Sequence, residues 1–304
     1  MNDLKELEAR YPLPEGWALE VAVNDSFSLD GLTISRAGLI ATHPEKGMVT
    51  GSAADLEGAH ARAYFELLER TAIVEAGTQA NVGTAEWRVS RSNGVALNVD
   101  LERAKASARL ELIERDAILR SWYGNASPVA IDVPPMLQPL SERYQFVARR
   151  LPTAYAGTYV VYVLGFPLSE QNYVVTGSAA APSLLQATHD AGRECMQSIA
   201  FLFDERISEA EPTFAPSPEF HLDMISRPQR SGLLRDWLFS RREPVPVAEG
   251  IPGEATFVEI TPARLKGKLH VVKCEIAEAL PLVFGKYEPY FGHVSQRDWI
   301  HPVT

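Results

Sequence analysis

Three stretches of this chain repeat one spacing, and it is the spacing of a helix. Residues 55–69, 100–114 and 183–197 all read D/S-L-x-x-A-x-x-x-A-x-x-E-x-x-E/Q. Steps of three and four place the Leu, both Ala and the polar pair along one side of an α-helix. Asp55, Asp100 and Ser183 each precede the Leu and carry the side-chain oxygen that a helix N-terminus needs. The pattern therefore predicts three helices that begin alike, at Leu56, Leu101 and Leu184. The alanines let a neighbouring element pack closely. Tyr64, Phe65, Leu67 and Leu68 make the first helix apolar on further faces, which predicts burial on several sides.

The acids decide what such helices can do. Glu66 and Glu69 in the first copy match Glu111 and Glu114 in the second. The third copy has Glu194 and Gln197. Carboxylates taken from water need a compensating cation. A converging set of oxygen ligands suits a hard cation such as Mg²⁺, usually shared with substrate phosphates. Two other readings stand beside this one. The acids could form a solvated surface, or an internal duplication could pair them with Arg70 and Arg115, four residues on from Glu66 and Glu111.

Composition removes several classes. The 304 residues are 46% hydrophobic, enough for a large core. A net charge of −10 argues against nucleic acid as the main ligand. No apolar run is long enough to span a bilayer, and the charged start "MNDLKELEARYPLPEGW" carries no apolar signal segment. Cys195 and Cys274 make neither a disulfide framework nor a zinc pattern and suit a cytoplasmic location; Cys195 reads as a small core residue.

Strand-like runs surround the helices at 17–23, 31–43, 128–133, 158–166, 172–178, 256–261 and 269–277. Without strict alternation of strand and helix, the fold class is α/β (α+β), with mixed sheets. One domain is expected over 1–304, with an N-terminal extension at 1–30, a proline-rich surface excursion at 209–254 that includes a helical 232–242, and a C-terminal tail at 279–304. Other chemistry is sparse. The chain has no phosphate loop, no G-x-G-x-x-G after a strand, no H-E-x-x-H and no serine nucleophile elbow. His293 and His301 are left as candidates for acid–base work.

The segment "SNGVALNVDLERAKASARLELIERDA" (92–117) resembles the signature of the YcaO superfamily, a Gly-containing loop leading into a helix that ends E-x-x-E-R-D-A. Residues 50–70 resemble the first signature helix and 182–198 the third. Residues 279–293 are similar to the late segment of azoline-forming members. The resemblance implies a single YcaO-like domain and an ATP- and Mg²⁺-dependent enzyme acting on a ribosomally made precursor peptide. A Cys, Ser or Thr of that peptide attacks the preceding carbonyl, phosphate is transferred to the oxygen and then lost, and a thiazoline or oxazoline remains. It also implies Glu66, Glu69, Glu111 and Glu114 as metal ligands, Arg115 and Asn98 as ATP contacts, and Glu194 and Gln197 near the nucleotide. The substrate supplies the nucleophile, so no protein nucleophile is required.

Departures from the pattern stand at Arg103, where an acid is usual, and at Arg62, where Ser is common. Azoline-forming members often end in a proline-rich tail, whereas this chain ends "WIHPVT"; His301 and Pro302 are the tail candidates for the active site. The short chain leaves no room for a fused docking domain, so a separate leader-binding (E1-like) partner protein is expected. A flavin-dependent dehydrogenase would be a further partner, and a homodimer stays open. The competing activities are thioamide formation and a non-catalytic scaffold that recruits a partner enzyme.

Overall fold

The computed structural model describes residues 2–55, 58–77, 83–124, 127–169, 171–205, 207–208, 210, 212–239, 254–287 and 300–303. In chain order the elements are α1 (Asn2–Arg10), β1 (Ala18–Leu29), β2 (Leu32–His43), β3 (Gly47–Asp55), α2 (Ala59–Ala76), β4 (Trp87–Val89), β5 (Val95–Asn98), α3 (Leu101–Tyr123), β6 (Val129–Ile131), β7 (Tyr144–Leu151), β8 (Tyr159–Pro167), β9 (Val175–Ala181), α4 (Leu184–Leu202), α5 (Pro218–Ser226), α6 (Ser231–Phe239), β10 (Thr256–Glu259), β11 (His270–Glu275) and β12 (Val283–Gly285). This is the α+β architecture expected from the mixed pattern. The chain forms two compact units, each drawn from three stretches: 1–80, 94–109 and 255–275 in the first; 81–93, 110–254 and 276–304 in the second.

In the first unit β1, β2 and β3 form an antiparallel meander. The β1–β2 turn is Asp30-Gly31, both at positive φ (48° and 84°), the two-residue turn that matches the twist of paired strands. One face of α2 packs Ala59, Ala63, Tyr64, Leu67 and Leu68 against Ala37, Leu39, Ala41 and Ala53 of the meander. Its last turns place Ala72 and Ile73 against Val95, Ile260 and Val271, so the helix is buried on more than one side, as its apolar residues require. From residues 1–30, Leu4, Tyr11 and Trp17 belong to this core, and the Tyr64 hydroxyl donates to the Tyr11 carbonyl at 2.7 Å.

In the second unit β6, β7, β8 and β9 form an antiparallel sheet. Trp237 stacks edge-on against Trp122 (5.4 Å) and Tyr162 (5.0 Å), and its indole N–H donates to the Ser121 hydroxyl at 2.9 Å. Within 209–254 the described part holds two helices, α5 and α6. Helices α5 and α6 bury Phe220, His221, Ile225, Leu234, Trp237 and Leu238, because both are amphipathic. Residues 240–253 lie outside the described residues, as do 288–299, which include His293.

Two of the three predicted helix starts are found. The Asp100 carboxylate accepts the Arg103 N–H at 2.8 Å ahead of α3, and the Ser183 hydroxyl accepts the Gln186 N–H at the start of α4. The first start, Leu56, lies outside the described residues, and α2 is described from Ala59. Asp55 is the last residue of β3, paired with Ser35, and its carboxylate takes Arg62 at 2.8 Å. Pairing with β2 commits the Asp55 backbone to the sheet, and Gly58 in the left-handed region precedes α2 instead.

The buried C-terminal residues give a test of acid stability. The His301 Nε2 donates to the Val283 carbonyl at 2.9 Å and its Nδ1 accepts the Val303 N–H at 3.3 Å. The ring lies 4.4 Å from that of His221, whose Nε2 accepts the Gly285 N–H at 3.0 Å. Loss of solvation pushes His301 down to about 4 and His221 down to about 2. An unfolded chain takes these protons near pH 6.5 and the folded one only far lower, so the stability from His301 is present above pH 6.5 and lost as pH falls toward 4, about 3 kcal/mol in all. Denaturant midpoints at pH 7 and pH 4.5 should show this decline, and His301→Gln should flatten it.

Candidate active site

Strand β3 with α2, and strand β9 with α4, are built alike. Each strand carries the run T-G-S-A-A, at 50–54 and 176–180. A Cβ on Gly51 would collide with the backbone of Ala63 and Leu67, and one on Gly177 with the backbone of Ala191 and Cys195. Glycine in the strand and alanine in the helix thus let the two backbones touch, which is what the alanine stripe anticipated. All of Ala59, Ala63, Ala104, Ala108, Ala187 and Ala191 are buried.

This close packing brings a carboxylate to the open edge of each sheet. In the first unit the Ser52 N–H donates to Glu66 Oε2 at 2.7 Å. Arg70 bridges Glu66 Oε1 at 2.6 Å and the Thr50 hydroxyl at 2.9 Å. Glu69 is half-buried one turn further along α2. Asn98 takes a local part: its side-chain oxygen accepts the Asp100 N–H at 3.1 Å and shapes the turn into α3.

In the second unit the Ser178 N–H donates to Glu194 Oε2 at 3.0 Å, repeating the Ser52–Glu66 contact. Here another acid joins. Glu114 accepts the Ser178 hydroxyl at 2.6 Å on one oxygen and the Ala180 N–H at 3.1 Å on the other. Residues 178 and 180 alternate along an edge strand, so both N–H groups point away from the sheet and take carboxylates in place of a further strand. Arg115 pairs with Glu111 at 2.5 Å and donates to the Ser92 carbonyl at 3.2 Å. Gln197 is half-buried on the next turn of α4.

Electrostatics set this group apart. Glu194 is open to water by area, yet protein surrounds it on most sides. Loss of solvation first, and the neighbouring Glu114 second, push its carboxyl up to about 8. Burial also raises Glu114, against the pull of Ser178, Arg115 and Ala180. Two crowded carboxylates beside Arg115 form a site that a further cation would relieve.

The donor set fits Mg²⁺ in kind, being all carboxylate oxygen. Among the described residues no three His, Cys, Asp or Glu side chains form a ready metal cage. Mg²⁺ does not demand one, since it keeps several waters and binds through one or two carboxylates together with phosphate oxygens.

The sequence profile of a family described as YcaO cyclodehydratase, ATP- and Mg²⁺-binding, matches residues 78–249, more than half of the chain. The chain belongs to the YcaO family. Family membership makes ATP and Mg²⁺ its cofactors. The match includes the second and third signature helices and leaves α2 outside. Among solved structures, YcaO from Methanopyrus kandleri bound with AMPPCP and Mg²⁺ has a TM-score of 0.63 at 19% identity, with 91% of this chain and 90% of that chain covered. The E. coli microcin synthetase McbBCD complex with pro-MccB17 bound has a TM-score of 0.54 at 12% identity, over 85% of this chain and 87% of that one. At these identities the likeness is one of fold. No curated protein sequence matches the chain.

Within this YcaO chain the Asp of the E-R-D-A signature is structural. Asp116 is fully buried, accepts the Arg120 Nε–H at 2.8 Å and takes the Leu280 N–H at 2.7 Å; Arg120 also donates to the Glu278 carbonyl. The pair pins residues 278–280 to α3. An acid–base role for His301 finds no support in its geometry, since the ring is buried with both nitrogens bonded to backbone. The Pro302 carbonyl accepts the Tyr162 hydroxyl at 2.8 Å. Ser52 and Ser178 escaped the sequence reading, although the repeated T-G-S-A-A run was there to signal them. Cys195 is buried, as expected of a core residue. Among the described residues no helix is long and apolar enough to cross a membrane.

Proposed function

We propose that this YcaO protein is an ATP- and Mg²⁺-dependent cyclodehydratase acting on a ribosomally made precursor peptide, forming thiazoline or oxazoline rings at Cys, Ser or Thr. The observation that carries the reading is the crowded group Glu111, Glu114, Arg115 and Glu194 in a chain of this family. Glu114 and Glu194 are held by hydrogen bonds at the edge of β9, and Glu111 holds Arg115 beside them. In this reading Glu66, Glu69, Glu111 and Glu114 are the metal ligands, and Arg115, Asn98, Glu194 and Gln197 face the nucleotide.

When bound, Mg²⁺-ATP supplies the phosphoryl group that turns the amide oxygen of the peptide into a leaving group. The protein's part is positioning and charge neutralisation, the main demands of phosphoryl transfer. Arg115, steadied by Glu111 and the Ser92 carbonyl, offers its remaining donors to a phosphate oxygen. The substrate's thiol or hydroxyl gives up its proton as it forms the new bond to the carbonyl carbon. The former carbonyl oxygen leaves with phosphate, and the ring nitrogen gives up its proton. A separate leader-binding partner would deliver the peptide, as the microcin synthetase complex with pro-MccB17 suggests by analogy, and a flavin-dependent dehydrogenase could follow.

Incubation with the partner, a Cys/Ser/Thr-rich precursor and Mg²⁺-ATP should remove one water per ring, with ADP and phosphate released in step. A gain equal to sulfur replacing oxygen would assign thioamide formation instead. The Arg70–Glu66 and Arg115–Glu111 pairs favour one further alternative, a scaffold whose acids are already neutralised. It requires that calorimetry detect no Mg²⁺-ATP binding.

A further inference from the structure

We infer that Ser178 is a positioning residue for Glu114, a magnesium ligand in the functional reading above on which this inference rests, and for Glu194 beside it. Ser178 serves two acids from two helices at once. Its hydroxyl donates to Glu114 of α3 at 2.6 Å and its backbone N–H to Glu194 of α4 at 3.0 Å. The Ala180 N–H takes the second oxygen of Glu114 at 3.1 Å. Glu114 is thereby bonded through both oxygens to one strand, which defines the plane of its carboxylate. A carboxylate has about four acceptor directions, so two bonds leave each oxygen free to face a cation. The 2.6 Å separation is that of a charge-assisted O–H···O⁻ bond.

The strand geometry explains why the donor is a serine at this position. Gly177 faces α4, so Ser178 points to the opposite face of the strand, where its hydroxyl meets Glu114. An alanine keeps the N–H bond to Glu194 and loses the only side-chain donor that the strand gives to Glu114. The repeat at Ser52 shows that the backbone half of this arrangement, N–H to Glu66, occurs at the matching place in the other sheet. The hydroxyl of Ser178 adds the link between two acids, and that link is the part we assign to metal positioning.

The test is a calorimetric titration of Mg²⁺ into the full-length chain with a non-hydrolysable ATP analogue, for wild type, Ser178→Ala and Ser178→Thr. Groups that orient metal ligands typically contribute a factor of 10–100 in metal affinity. Ser178→Ala should therefore raise the half-saturating Mg²⁺ concentration by about 10–100-fold. Nucleotide binding in EDTA and the melting temperature should stay near wild type, and Ser178→Thr, which restores the hydroxyl, should return the Mg²⁺ dependence. An unchanged Mg²⁺ titration in Ser178→Ala, with wild type binding normally, overturns the positioning role and leaves the functional reading intact. Equal weakening with and without Mg²⁺ overturns it too, since that marks a structural serine. Absence of Mg²⁺-dependent nucleotide binding in wild type defeats the functional reading itself. If Ser178→Ala does not fold, Ser178→Cys, with its weaker donor, carries the same expectations.

Discussion

Glu111→Gln should reduce Mg²⁺-ATP turnover by more than about a hundredfold, beyond the 10–100-fold typical of groups that only support a metal ligand. Gln matches Glu in shape and removes only the charge. The folded chain should barely notice. Glu111 and Arg115 form a partly exposed pair one helical turn apart, and such pairs contribute about 0.3–0.5 kcal/mol. Phosphate release at saturating Mg²⁺ and the melting temperature, measured on one preparation, separate the two effects. Glu66→Gln should behave in the same way, because Glu66 makes the matching pair with Arg70. If the glutamates serve only their arginines, both variants keep wild-type turnover, and the metal role is refuted.

Gly177→Ala should be among the most damaging single changes for stability. The added methyl would overlap the Ala191 carbonyl and the Cys195 amide, and backbone cannot rotate aside as a side chain can. Overpacking of this kind costs about 3 kcal/mol or more, or a fall in melting temperature of roughly 6 °C and upward for a domain of this size. Helix α4 can accept the methyl only by backing away from β9, which stretches the Ser178–Glu194 contact, so Mg²⁺-dependent nucleotide binding should fall with stability. Gly232→Ala is the control. That glycine lies inside α6 with open space where its Cβ would be, so alanine should stabilise by about 0.5–1 kcal/mol. If Gly177→Ala melts like wild type, the close contact of strand and helix is not as described.

Periodicity, caps and the alanine stripe made α3 and α4 legible from residues alone, with Asp100 and Ser183 at the starts where they were placed. The acids Glu66, Glu69, Glu111, Glu114 and Glu194 and the family resemblance are legible in the same residues. The run 47–55 was not read as a strand, since its Gly and Ala are weak strand formers and its place depends on pairing with β2. Strand β7 likewise takes its place by pairing, with β6 and β8. Burial of α5, α6 and the last residues became visible only with Trp237, His221 and His301 in their pockets.

What the sequence by itself determined was therefore local: which segments are helical, where two of them are capped, and which acids lie on the stripe of each. A helix declares these through contacts within one turn, and a window of fifteen or so residues contains them. The tertiary structure alone decided that β3 and β9 present open edges, that Ser52 and Ser178 occupy them, and which donor each carboxylate meets. Strand pairing joins residues far apart in the chain, and a hydrogen bond of under 3 Å between Ser178 and Glu114 exists only once that pairing is made.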